Sequence, residues 1–316
     1  MKIRLLIALL VFSCTAHAAY PEKPIRFILP SAAGGSVDVL MRVLAQQLSA
    51  QMGVAFVVEN KPGGAFVPGT MDIVRAAPDG YTLGYGNIVS LAINRALLPK
   101  LPYDVEKDLT LVSNCVQVFN MLAVNNDLPV RSVQELVAYA KKNPGKLTNG
   151  SSGNGTTGHL GGELFKFMTG TDIVHVPYKG SPQAINDLMG GTIQVMFDNV
   201  PSIGPHVKAG RVRGLGVSSP KRAAQFLDLP TIAEAVPGYE TNSWGGVIGP
   251  AKLPSEVLNR LVGEIRKALA APAVMERYRQ LDTEPDGAGP EAFLELVRKE
   301  TPKWAEVVKK SGAKVD

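Results

Sequence analysis

The chain has 316 residues, of which 45% are hydrophobic and 19% charged. That balance excludes an intrinsically disordered chain, and the length exceeds what one hydrophobic core usually holds, so two domains are expected. A net charge of only +5 and an aromatic share of 6% exclude a strongly basic nucleic-acid face and a stacking platform for single strands.

The first eighteen residues, MKIRLLIALLVFSCTAHA, join a basic start (Lys2, Arg4) to an apolar run from Leu5 to Phe12 and to small residues at Ala16 and Ala18. This is the pattern of a cleavable secretory signal peptide, so residues 1–18 are expected to be removed and the mature chain exported. The run is too short for a stable bilayer anchor, and Phe12 is a bulky misfit for the lipidation box that Cys14 would require. Loss of Lys2 and Arg4 drops the 33 basic residues to 31 against 28 acidic ones, a net charge of +3. Cys115 is then the single cysteine, so no internal disulfide is available and the core must hold the fold. No later apolar run is long enough to span a membrane.

From Tyr20 onward the chain alternates strand and helix patterns. IRFIL (25–29) reads as a strand and Val39–Met52 as a helix, with Val39, Leu40, Val43, Leu44 and Leu48 on one face. VAFVVEN is a second strand, KPGGAFVPG a loop, TMDIVRAA a helix, and PDGYTLGYGN a turn leading into a strand. SVQELVAYAKKNPGK is a helix that Ser132 caps, Glu135 boxes, and Pro144 with Gly145 stop. KLTNG, DIVHVPY, IQVMFDN and RVRGLGVSS are further strands. HLGGELFKFMTG and SPQAINDLMGG are helices between them, and two more helices fill the last third. This alternation is the signature of an α/β fold with a parallel sheet. Glycine and proline are scattered as punctuation without one rich linker, which suits two α/β lobes with crossing connections.

The stretch NGSSGNGTTGHLGGELF (149–165) contains G-x-G-x-x-G at Gly153, Gly155 and Gly158. A dinucleotide site would need a carboxylate at the end of the next strand to hold the ribose hydroxyls. That strand, DIVHVPY, ends in Pro177, Tyr178 and Lys179 instead. What remains is a glycine loop with the hydroxyls of Ser151, Ser152, Thr156 and Thr157 at a helix start. Such a loop either caps the helix or binds an anion through free backbone N–H groups and the helix dipole. The same build occurs at PSAAGGSVDVL, where a strand leads through Ser31, Ala33, Gly34, Gly35, Ser36 and Asp38 into a helix. Two such loops at the carboxyl ends of strands, one from each lobe, would face one cleft and hold a small carboxylate without an arginine. Asp38 is the awkward member: it caps its helix, orients water, or receives a donor from the ligand.

Rival chemistries are weaker. Ser151 or Ser152 with His159 suggests a nucleophile and base, and a periplasmic serine hydrolase using Ser152 and His159 is the competing enzyme reading. GSSG is one residue short of the nucleophile elbow, however. His159 and Glu163 share a helix face but fall short of the three or four ligands zinc wants, so no metal and no cofactor are expected. Lys179 reads as a solvated loop lysine, Asp198 and Asn199 as residues at a strand end on the cleft side, and Trp244 as a packing residue.

The motifs YPEKPIRFILPSAAGGSVDVL, VVENKPGG, AAPDGYTL, LPYDVEKDL, GSSGNGTTGHLGGELFKFMTGTDIVHVPYKG, DLMGGTIQVMFDN, GYETNSWGG and ETPKWAEVVKKSGAK resemble, in this order, the Bug-type extracytoplasmic solute receptors of tripartite tricarboxylate transporters. The resemblance runs from Tyr20 to the C-terminus. It implies a two-lobed periplasmic binding protein fold of type II-like build, with the ligand cleft between the lobes. Residues 19–121 and 242–316 would form lobe I and residues 122–241 lobe II. It implies a monomeric periplasmic receptor that captures a mono-, di- or tricarboxylate without chemistry and hands it to membrane transporter subunits or a sensor protein. The ligand contacts it implies are Ser31, Ala33, Gly34, Gly35, Ser36 and Asp38 on one side. On the other are Ser151, Ser152, Gly153, Thr156 and Thr157; His159, and Asn87 and Asp198 at strand ends, are further candidate contacts. The chain departs from the usual pattern at Ser31, where an aromatic residue is common, and at Ala65–Val67, where a glycine-rich run is usual. Phe66 is a candidate to supply the missing aromatic wall.

Overall fold

The computed structural model describes residues 20–313. The expected signal peptide and Cys14 lie outside the described residues. The first half runs β1 (Ile25–Leu29), α1 (Ser36–Met52), β2 (Phe56–Asn60), α2 (Val67–Val74), β3 (Thr82–Asn87), α3 (Asn94–Leu97), α4 (Val105–Asp108) and the 16-residue β4 (Leu109–Val124). Then follow α5 (Val133–Lys142), β5 (Leu147–Ser151), α6 (Thr157–Thr169), β6 (Ile173–Pro177), α7 (Ser181–Met189), β7 (Val195–Asn199), α8 (Val200–Lys208) and β8 (Arg213–Val217). The chain returns through β9 (Asn242–Pro250), α9 (Ser255–Leu269), α10 (Pro272–Gln280), the short β10 (Glu284–Pro285) and α11 (Pro290–Ser311).

The strands form one sheet in the order β2-β1-β3-β9-β4-β7-β5-β6, with β8 and β10 also paired to β4. The expected parallel sheet needs correction. β1 pairs β2 and β3 in parallel, and β5 pairs β6 and β7 in parallel. Between these groups lie β4 and β9, antiparallel to each other and to their neighbours. Pairing with β9 runs from Leu109 to Phe119 of β4, and pairing with β7 from Asn120 to Val124. β4 therefore passes from one α/β half into the other, and the cleft lies where it crosses. Its sequence hides it: Ser113, Asn114, Gln117 and Asn120 break the apolar alternation, and two register shifts remove any clean period of two.

Each half has apolar layers on both faces of its strands. In the first half α1, α9 and α10 cover one face, burying Leu40, Leu44, Ile265 and Tyr278 with Phe27 and Tyr85. α11 covers the other face through Phe293, Val297 and Trp304, together with Trp244 of β9. Leu160, from α6 in the second half, is fully buried in that same cluster. In the second half Phe165, Phe197 and Tyr239 pack as one aromatic group. Helix ends follow local chemistry. Ser132 accepts from Glu135 N to cap α5, while the Glu135 carboxylate accepts from Arg131 N, one residue before the cap. Gly53 and Gly170 close α1 and α6 in the left-handed conformation.

Candidate functional site

A cleft of about 490 Å³ opens between the halves. Its walls are made by the loops that follow β1, β2, β3, β5, β6 and β7, and all of these but the one after β3 lead into the helices α1, α2, α6, α7 and α8. Five helix N-termini thus border one cavity. The caps of four, Gly35 of α1, Phe66 of α2, Gly180 of α7 and Asn199 of α8, make no side-chain capping hydrogen bond. Pro68, Pro182 and Pro201 carry no N–H, but the other first-turn N–H groups and the positive dipole ends are free of side-chain caps and can serve an anion. Only α6 is capped by a side chain, through Thr156 Oγ1.

The halves touch across this cleft. Asn199 Nδ2 donates to Ser36 Oγ at 2.9 Å. A methyl group on Gly180 would come within 2.4 Å of Ala32 Cβ, so the glycine is what lets the two loops meet.

Of the residues expected from the sequence, Ser31, Gly35, Ser36, Phe66 and Asn87 line the first-half wall. Ser152, Gly153, Thr156, Thr157 and Asp198 line the second-half wall. Phe66 and Ala65 both adopt positive φ, 68° and 49°, a conformation that non-glycine residues rarely occupy. Asn94 Nδ2 holds the turn by donating to Ala65 O, and Thr70 Oγ1 by donating to Phe66 O. Asn87 Oδ1 accepts from Val89 N and Ser90 N, so that side chain shapes its own turn.

Five expected residues are outside the lining: Ala33 and Gly34 are exposed in the β1–α1 loop, and Asp38, Ser151 and His159 are buried behind the wall. The Asp38 carboxylate is buried under its loop. Oδ2 accepts from Gly34 N at 2.9 Å, and Oδ1 accepts from Arg42 Nε at 2.8 Å and from Asn60 Nδ2 at 2.9 Å. It is a fastener for the β1–α1 loop. His159 Nδ1 accepts from Gly155 N at 2.9 Å, bracing the β5–α6 loop from below. Its ring stacks on His175 at 3.8 Å and 11°, and His175 Nε2 lies 2.7 Å from Ser151 Oγ. Ser151 therefore pairs with His175, while Ser152 stands on the cleft wall, so the Ser152–His159 pair of the hydrolase reading is not assembled. Burial holds both rings neutral, lowering His159 to about 4 and His175 to about 3.

The wall also includes residues the sequence reading left out or set aside, notably Tyr178, Lys179, Ser181, Asn199 and Ser243. The signal for the first four was available: KGSP after β6 and DNVP after β7 place a turn and an N-terminal proline at a strand end, as the two glycine loops do. Lys179 and Asp198 are the charged residues of the lining. Lys179 is exposed, while Asp198 is buried. Burial pushes the Asp198 carboxyl up to about 6, against the pull of the nearby Ser181 and Ser202 hydroxyls and the Asn199 N–H. Among the described residues no group of three or more His, Cys, Asp or Glu side chains gathers to hold a metal ion, and no helix is long and apolar enough to cross a membrane.

Two α/β halves joined by long crossing strands, with a cleft ringed by helix N-termini between them, define a periplasmic binding protein. The chain belongs to the family described as "Tripartite tricarboxylate transporter family receptor", which matches residues 40–313. Protein BugT of Bordetella pertussis is 35% identical over 321 residues, covering 99% of this chain and 98% of that one. Among solved structures, Rpa4515 of R. palustris with adipate is 37% identical with a TM-score of 0.91, covering 94% of this chain and all of that one. The periplasmic binding protein BugD is 33% identical with a TM-score of 0.89, over 93% of this chain and 99% of that one. The resemblance read from the ordered motifs is thereby confirmed, as are the two-lobed fold and the solute-receptor class.

Proposed function

We propose that the cleft holds a small carboxylate between two moving lobes and releases it unchanged to membrane transporter subunits. One observation carries this reading: five helix N-termini, four without a side-chain cap, border a single cavity of about 490 Å³. Carboxylate oxygens accept hydrogen bonds from those free N–H groups and from the hydroxyls of Ser36, Thr156 and Thr157, and the dipole ends favour the charge. The adipate carried by the relative from R. palustris is a ligand of this class. Residues 19–121 with 242–316 act as lobe I and residues 122–241 as lobe II. In support, β4 exchanges its partners between Phe119 and Asn120. The receptor works as a monomer, since each cleft is complete within one chain. A ligand bridging both lobes stabilises the closed state by its differential affinity.

A thermal-shift screen of the mature protein against mono-, di- and tricarboxylates tests this. A ligand at about 100 times its dissociation constant adds about 2.7 kcal/mol, which raises Tm by several degrees in a chain of this size. A shift with one carboxylate class, and recovery of the ligand chemically intact after incubation, is the expected result. Turnover of the ligand, or no shift with unloaded protein across the panel, defeats the reading.

A further inference from the structure

The cleft presents acceptors as well as donors. Asp198 Oδ2 and Asn199 Oδ1, on adjacent residues at the end of β7, are both buried without a hydrogen-bond partner, and both residues line the cleft. The orientation of the Asn199 amide is set from the other half: its Nδ2 donates to Ser36 Oγ, which leaves Oδ1 as the free end. Asp198 is 3% exposed; the Ser181 and Ser202 hydroxyls and the Asn199 N–H act on its carboxyl, but no cation does, so its charge is uncompensated. Lys179, the one cation of the lining, is an exposed loop residue.

An ionised carboxylate supplies only acceptors. Its oxygens match the N–H groups at the helix N-termini but give no partner to Asp198 Oδ2 or Asn199 Oδ1, and leave the Asp198 charge without a cation. A buried acceptor left unpaired is costly, and a site built around polar groups rejects analogues lacking the complementary group far more strongly than an apolar pocket rejects an extra methylene. We infer that the solute carries a hydrogen-bond donor on its carbon chain, an ammonium or hydroxyl group seated on Asp198 and Asn199, so that it is an amino or hydroxy acid and not an unsubstituted alkanoate. This rests on the reading of the cleft as a carboxylate site. It adds a second pole to that site: donors at the helix N-termini take the carboxylate, and acceptors at the β7 end take the donor. An ammonium also places a positive charge beside the Asp198 carboxylate, the arrangement that makes its burial affordable.

The test is calorimetric titration of unloaded mature protein with two matched series: succinate, malate and aspartate at four carbons, and adipate, 2-hydroxyadipate and 2-aminoadipate at six. The members of each series differ by H, OH or NH3+ at one carbon. In at least one series the donor-bearing member binds tenfold or more tighter than its unsubstituted parent. In D198N, which keeps side-chain volume while replacing one acceptor oxygen by a donor, that ratio collapses towards one. N199A, which leaves Asp198 in place, reduces the ratio without abolishing carboxylate binding. Thermal melts of both variants confirm that they are folded. If succinate or adipate binds as tightly as its substituted partners, the donor inference is overturned and the carboxylate site stands. If no member of either series binds to folded, unloaded wild-type protein, the carboxylate reading falls as well.

Discussion

Asp38 shows how a residue near a ligand serves it without touching it. Its sequence setting, in a glycine loop at a helix start, leaves three roles open, and the geometry selects a fourth: three donors, from Gly34, Arg42 and Asn60, converge on one buried carboxylate. Truncation strands those donors, so Asp38→Ala is expected to cost about 2–3 kcal/mol of stability, read as a lower urea midpoint with an unchanged slope. Ligand affinity falls with it because the loop carrying Gly35 and Ser36 is loosened. The site was legible wherever a loop's local pattern sufficed, as at Ser36, Thr156 and Thr157. It was illegible where the partner comes from another strand. Sequence proximity paired Ser152 with His159, whereas the β5–β6 register sets Asn149 opposite His175 and brings that ring to Ser151. Nothing in a single sequence reveals that register.

At the scale of elements, the β5–α6 loop is built on two stacked neutral imidazoles. Their pKa values, about 4 and about 3 in the fold, lie below the ordinary 6.5. The stability they contribute is therefore complete above pH 6.5 and is lost as the unfolded chain takes up protons between pH 6.5 and about 4. Asp198 acts in the opposite sense: its folded value of about 6 exceeds the ordinary 3.8, so its contribution is present below 3.8 and lost as pH rises through 6. A comparison of two proteins with the same Asp198 separates the effects. Wild type is expected to lose roughly 2 kcal/mol more than His175→Gln on going from pH 7 to about 4.5, measured as the difference between their calorimetric Tm profiles. A parallel loss in both proteins would remove the histidine pair as the cause. Helices α1, α5 and α6 were readable because their apolar spacing and end residues agree, and the strands of the parallel groups because they are short and bounded by turn residues, β1 and β7 being apolar as well. β4 and β9 were not. Every residue of β9 is buried, and β4 mixes buried Ser113, Asn114 and Asn120 into its run, so neither carries a two-residue period to find. These two strands also carry the departure from a purely parallel sheet.

For the whole molecule, α6 belongs by chain order and pairing to the second half, yet its Leu160 is wholly buried among Trp244, Phe293, Val297 and Trp304 of the first. A motion that parts α6 from α11 and β9 draws Leu160 out of that cluster and exposes apolar surface worth about 1.5–3 kcal/mol. This contact shifts the empty receptor's equilibrium towards the closed form, and a bridging ligand adds its own differential affinity to the same shift, so association is expected to wait on opening. Leu160→Ala is expected to raise the association and dissociation rate constants together, by about tenfold or more, with a smaller change in their ratio, as stopped-flow ligand binding would record. A gate of this kind also sets a dwell time. The receptor keeps its cargo through many random encounters, and unloading becomes fast only against a partner whose own contacts with the parted halves replace those that Leu160 gives up.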